Sequence, residues 1–149
     1  MPLQWDQLVR SAALCSLRTG IKFPHLNQNK QAAVLVPLIL LGAEPAVLFQ
    51  VRSGGLREHA GETCFPGGKL NHDETPLQAV QREAREELGL TAWRLVGPLG
   101  IFPNRVSQYA VHAFLGVVEQ QDCFQVDGSE IERFFIIPLR QLQQPKLVD

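Results

Sequence analysis

Cysteine is scarce in this 149-residue chain, and the three present, Cys15, Cys64 and Cys123, are too far apart to make a Cys-x-x-Cys pair. An odd, scattered set excludes a disulfide framework and a zinc knuckle, and it suits a reducing compartment. Long apolar runs are missing as well. The longest, Ala32 to Leu41, is about half of the roughly 20 residues that a membrane-spanning helix needs, so it reads as a buried strand and no membrane partner is expected. Positive charge is in no surplus: 14 Lys and Arg stand against 15 Asp and Glu, and a net charge of -1 sets up no global field for a nucleic-acid polymer. Repeats and low-complexity tracts are absent too. What remains is one domain over residues 1–149, long enough to bury a core without covalent staples.

Within that domain, Trp5, Leu8, Val9 and Ala12 fall at helical spacing and predict a surface helix in Met1 to Gly20. The stretch Ile21 to Lys30, with Pro24, reads as a connecting loop. Ala32–Leu41 and Ala46–Arg52 read as a strand pair joined at Gly42-Ala43-Glu44-Pro45. Pro37 cannot donate to a ladder, so it implies an edge position or a bulge in the first strand. Ser53 to Asp73 has neither periodicity and reads as a long functional loop. Thr75, Pro76 and Gln78 then announce a helix: an N-cap, a proline at the first position, and a side chain placed to return the capping bond. Gly89 stops it, and Leu77, Val80, Ala84 and Leu88 give it a face to pack on a sheet. Strands are expected at Arg94–Gly97, Val111–Val118 and Arg133–Ile137, and a short helical turn at Pro138 to Gln143. Helix, strands, helix, strands predicts an α/β sandwich with the sheet between helices.

The other face of the 76–88 helix carries Glu83, Glu86 and Glu87 at i, i+3 and i+4, which at about 100° per residue puts three carboxylates within one turn on one side. Such a cluster repels itself unless a cation neutralises it. Oxygen donors without a His or Cys cluster point to Mg²⁺ or Mn²⁺ over Zn²⁺. The plain alternative is a solvated face with internal ion pairs. Against it stands Phe65-Pro66-Gly67-Gly68 just upstream, whose glycines let backbone approach a ligand or ion closely. Glu74 is placed to pair with Arg82 and fix that loop to the helix.

Gly68, five residues, Glu74, seven residues, then Arg82-Glu83-Ala84-Arg85-Glu86-Glu87-Leu88-Gly89-Leu90 resembles the complete box of the Nudix hydrolases, spanning residues 68–90. Leu48-Phe49-Gln50-Val51-Arg52-Ser53, with Arg57, Gly61 and Phe65-Pro66-Gly67-Gly68 at the proper gaps, resembles the signature of their coenzyme A diphosphatase branch. Phe49 stands where that branch has leucine and Gln50 where it has threonine.

The resemblance implies a Nudix-like α/β/α sandwich with a mixed central sheet and a diphosphatase using Mg²⁺ or Mn²⁺. The substrate it implies is coenzyme A or a thioester, cleaved to 3′-phospho-AMP and a 4′-phosphopantetheine product. Glu83, Glu86 and Glu87 would be the metal-binding and catalytic acids, and Glu74 with Arg82 structural. Arg52, Arg57, Gly67 and Gly68 would bind substrate, guanidinium forks suiting a diphosphate and a separate 3′-phosphate. Glu130 is a candidate distal base, although Arg133 stands where a second acid is common; the plain alternative is a loop charge.

Other substrates in the same frame are ADP-ribose, a dinucleoside polyphosphate or an oxidised nucleotide. A non-catalytic nucleotide-binding module is a further alternative, which the intact acids oppose. Ala113 replaces a proline usual in the branch, and the chain stops at Asp149 where relatives often run on, so the substrate pocket is expected to differ. His59 and His72 read as solvated loop residues, Cys64 as an inert thiol, and Trp93 and Tyr109 as core aromatics before adenine-stacking ones. A cytoplasmic location is the default, with the mitochondrion and a homodimer left open.

Overall fold

The computed structural model of the chain describes residues 29–104, 107–119, 124–126 and 128–142. The helix expected in Met1 to Gly20 lies outside the described residues, as do Cys15 and Cys123. The described elements run β1 (Gln31–Leu41), β2 (Glu44–Arg52), β3 (Thr63–Cys64), β4 (Gly67–Lys69), α1 (Pro76–Leu88), β5 (Trp93–Pro103), β6 (Ala110–Val118), β7 (Ile131–Pro138) and α2 (Leu139–Leu142).

The strands form one mixed sheet in the order β3-β2-β1-β6-β5, with β4 added to β1 and β7 added to β2. β1 and β6 run parallel, and the β1–β2, β1–β4, β2–β3, β2–β7 and β5–β6 ladders are antiparallel. β1 is central, which explains its unbroken apolar sequence: both of its faces are covered.

Pro37 is therefore not on an edge strand. It lies opposite Gly116 of β6. On the other side of β1, the β4 ladder ends at Val34↔Gly67 and the β2 ladder begins at Leu38↔Val47. Leu35 N donates to Pro66 O at 2.8 Å on that side. Amides two residues apart point the same way, so the donor Pro37 lacks falls in the gap between two ladders, where no strand needs it.

One face of the sheet carries α1. Ala79, Val80, Ala84 and Leu88 pack with Ala33, Leu35, Ile39, Leu48 and Leu90 into the main core. Full burial of side chains such as Val80 and Leu88 contributes about 1.5–3 kcal/mol each. Leu77 is only partly buried, at the margin of this face. On the opposite face Leu38, Val47, Leu115 and Val117 gather with Phe49, Phe65 and Leu99, and among the described residues the single turn α2 supplies the helical cover there through Leu139.

The capping read from sequence is formed: Thr75 Oγ1 accepts from Gln78 N at 3.2 Å, and Gln78 Oε1 accepts from Thr75 N at 2.9 Å. Gly89, at φ 64° and ψ 18°, ends the helix in the left-handed conformation. No helix among the described residues is long and apolar enough to cross a membrane.

Two strand expectations need correction. β5 is eleven residues long where four were expected, because register shifts between Leu95 and Gly97 and between Pro98 and Gly100 absorb the residues that read as a stop. It ends the sheet order, so Pro98 and Pro103 are tolerated. The segment from Ser53 to Asp73 is not all loop. β3 pairs with β2, and β4 pairs with β1, each too short to show a period in the sequence.

Candidate active site

β4 and α1 bring the glycine pair to the helical acids. Gly68 sits against the Glu83 carboxylate so closely that a Cβ there would overlap its oxygens, and a Cβ on Gly67 would meet Val34 Cα at 2.7 Å. At Gly67 the obstacle is backbone, so only glycine fits; at Gly68 any larger residue must push the Glu83 carboxylate aside. This close approach has a direct product: Gly67 N donates to Glu87 Oε2 at 2.9 Å.

Glu87 turns inward and is 3% exposed. Its Oε2 also accepts from Gln50 Nε2 at 2.9 Å. Burial pushes the Glu87 carboxyl up to about 7, the Gln50 and Gly67 bonds oppose that rise, and the charges of Glu83 and Glu130 add to it. Glu83 is also raised, by burial first, against the pull of Arg82 and with the charges of Glu86 and Glu130 adding. Glu87 thus feels Glu83, and both feel Glu130.

Arg82 anchors the outer side. Its Nε donates to Glu74 Oε1 at 2.8 Å and its Nη2 to Glu74 Oε2 at 3.0 Å, a two-point grip that the sequence spacing had suggested. Nη2 also reaches the Lys69 carbonyl at 3.1 Å, while Nη1 donates to Glu83 Oε1 at 2.7 Å and Glu86 Oε2 at 3.2 Å. The Arg82 guanidinium is held more firmly protonated by these acids, and the Glu74 carboxyl is lowered, chiefly by its bond from Arg82.

The three helical acids have different surroundings. Among the described residues no three His, Cys, Asp or Glu side chains are grouped as a ready ion cage. Relative to Glu83, Glu87 lies about 40° round the helix toward the sheet and Glu86 about 60° the other way, toward solvent. Glu86 is 59% exposed on its side chain and rests on Arg82. The inward pair is the buried Glu87 and the partly buried Glu83, with Glu130 electrostatically beside it.

Glu130 arrives through the sheet. Ser53 N donates to Glu130 O at 2.8 Å and Ser53 Oγ to Gly128 O at 2.9 Å, tying the 128–130 bend to the end of β2. The same strand end carries Arg52, whose Nε is buried without a hydrogen-bond partner. Arg57 is exposed on the loop that follows, which closes through Gly61 N to Arg52 O and Arg52 N to Glu62 O, both at 3.0 Å.

Other sequence candidates have ordinary places. His59 Nδ1 lies 2.9 Å from Glu62 and His72 Nδ1 2.7 Å from Asp73, both at the surface. Trp93 packs on the main core over Gly116, and the Tyr109 ring lies under the ammonium groups of Lys30 and Lys69 at 5.9 and 5.4 Å. Cys64 is half-buried, and burial raises its thiol.

Two features escaped the sequence reading. Gln50 is the partner of Glu87; its signal was a polar residue in an apolar strand. The second is a cavity of about 650 Å³ beside Cys64 and Phe65, walled by Val34, Val36, Leu99, Phe102 and Val111 and nearly free of polar groups. Its walls come from four separate segments, so no local pattern announces it.

A buried and a partly buried carboxylate at a glycine-backed helical turn, with a bidentate arginine behind them, define a centre suited to cations and phosphate. The NUDIX domain model matches residues 29–149, and the chain belongs to the Nudix hydrolase family. A peroxisomal coenzyme A diphosphatase of Mus musculus is 33% identical over 130 residues, which cover 86% of this chain and 55% of that protein. Nudix hydrolase 3 of Caenorhabditis elegans is 32% identical over 130 residues, covering 81% of this chain and 54% of that protein. The chain thus spans little more than half the length of these curated relatives. A crystallised Ap4A hydrolase from C. elegans superposes with a TM-score of 0.64 at 20% identity, covering 75% of this chain and 83% of the other, which shows the shared fold.

Proposed function

We propose that the chain hydrolyses the diphosphate of coenzyme A or of its thioesters, releasing 3′-phospho-AMP and 4′-phosphopantetheine or its acyl derivative. The observation that carries the hydrolytic part is the inward-facing pair of Glu83 and the buried Glu87, braced by Arg82 and by the Gly67 amide. The coenzyme A part is supported by the signature from Leu48 to Gly68 and by similarity to the coenzyme A diphosphatase of M. musculus. The apolar cavity, walled in part by Val34, the strand partner of Gly67, suits a pantetheine or acyl arm better than a base, since a base edge needs hydrogen-bond partners.

The donor set fits Mg²⁺ or Mn²⁺: it is all oxygen, and both bonds to Glu87 fall on Oε2, which leaves Oε1 to a cation. Glu83 and Glu87 would hold the ion, with Glu86 completing the set after a side-chain turn. When bound, such an ion polarises phosphoryl oxygens and acidifies water. Arg52 and the exposed Arg57 bind phosphate oxygens, the Gly67–Gly68 backbone leaves room for the diphosphate, and Glu130 takes the proton of the attacking water.

The test incubates the protein with Mg²⁺ and, separately, coenzyme A, ADP-ribose and a diadenosine polyphosphate, resolving products by chromatography. Release of 3′-phospho-AMP from coenzyme A is expected. Cleavage of only the other two substrates removes the coenzyme A reading and keeps the hydrolase.

A further inference from the structure

We infer that Gln50 is a positioning residue that fixes which oxygen of Glu87 meets the divalent cation. The inference rests on the reading of Glu83 and Glu87 as cation ligands. Gln50 has no exposed surface and sits in β2 between Phe49 and Val51, where a polar side chain is costly unless it is paired.

Its pairing is one-sided. Nε2 donates to Glu87 Oε2 at 2.9 Å and approaches Cys64 Sγ at 3.8 Å, so both of its hydrogens are used. Oε1 has no hydrogen-bond partner. A glutamine serving only to fill the core would satisfy both ends, or be replaced by an apolar side chain. Gln50 leaves its acceptor end unpaired while its donor end holds the acid.

The hold is specific in geometry. Gly67 N reaches the same Oε2 at 2.9 Å, so turning the carboxylate about its last bond breaks two hydrogen bonds. Glu87 is thereby presented through Oε1 alone, as a single-oxygen ligand. The clamp is itself braced, because Gln50 lies opposite Cys64 of β3 on one side and Phe134 of β7 on the other. A second residue fixing the orientation of a ligand in this way governs affinity for the ion without touching it.

The experiment measures Mn²⁺ binding by electron paramagnetic resonance and by calorimetry, without substrate, for the wild type, Gln50→Leu and Gln50→Asn, with melting curves in chelator. Gln50→Leu keeps the volume and drops the amide; Gln50→Asn keeps an amide one methylene short of Glu87. Both variants should bind Mn²⁺ about tenfold or more weakly. Both should lose kcat at an unchanged KM for the diphosphate, and Gln50→Leu should melt no lower than the wild type. Tight Mn²⁺ binding by the wild type that persists in either folded variant overturns the role of Gln50 and leaves the cation site intact. Failure of the wild type itself to bind Mn²⁺ overturns both. Neither result depends on which diphosphate the chain cleaves.

Discussion

Arg82 grips Glu74 at two points, Nε to Oε1 at 2.8 Å and Nη2 to Oε2 at 3.0 Å, and with its third nitrogen it reaches Glu83 at 2.7 Å. One side chain thus ties the loop before α1 to an acid in the middle of that helix. Lysine offers a point charge and cannot make this fork. Arg82→Lys should cost about 1–3 kcal/mol of stability, measured by urea denaturation. Unchanged stability would mean that the fork is solvated and contributes nothing.

Glu87 gives a pH dependence of unusual sign for an acid. Its folded carboxyl lies at about 7, above the ordinary 4.5. Between those values the folded chain holds a proton that the unfolded chain has lost, so stability from this group is full below about 4.5, declines as pH rises, and is gone above about 7. The loss is on the order of 3 kcal/mol. In chelator, Glu87→Gln should therefore gain on the wild type when melting is compared at pH 8 and at pH 5. Equal differences at the two pH values would contradict the burial assigned to this acid. Mg²⁺ at pH 8 should raise the melting temperature of the wild type and leave that of Glu87→Gln nearly unmoved.

Much of α1 is legible in the sequence because its determinants are local. The capping residues Thr75 and Gln78, the stop at Gly89 and the acids at i, i+3 and i+4 all belong to one continuous segment, Thr75 to Gly89. The acids' different fates are not legible there: Glu87 goes inside because Gln50, 37 residues earlier, and the Gly67 amide receive it, while Glu86 stays exposed and rests on Arg82. Pro37 misleads for a similar reason. Its tolerance depends on where two other strands happen to begin and end along β1. β5 reads too short because Gly97, Pro98 and Gly100 carry the same local signal in a bulged edge strand as in a turn.

Gly68 offers a test of the close approach between β4 and α1. A Cβ there would overlap the Glu83 carboxylate, so Gly68→Ala must displace the acid. Turnover should fall by roughly a hundredfold, as a displaced catalytic group of about 1 Å implies. The melting temperature in chelator should change little, since the repelled acid can move toward solvent. Near wild-type turnover would show that Glu83 does not need its place against β4.

Ala113 lines the apolar cavity and is 6% exposed. If that space takes the acyl arm, Ala113→Leu narrows it. KM for a long-chain thioester should rise roughly tenfold while KM for free coenzyme A stays within a factor of two. An equal rise for both would place the arm elsewhere.

The central claim, that Glu83 and Glu87 serve a divalent ion in cleaving a diphosphate, is tested most directly by initial rates on the fastest-cleaved diphosphate. Wild type, Glu83→Gln and Glu87→Gln would be assayed over a Mg²⁺ titration. The expected result is turnover that needs Mg²⁺ in the wild type and falls by orders of magnitude in both variants, with folding intact. Turnover in both variants equal to wild type, at the same Mg²⁺ dependence, would contradict it.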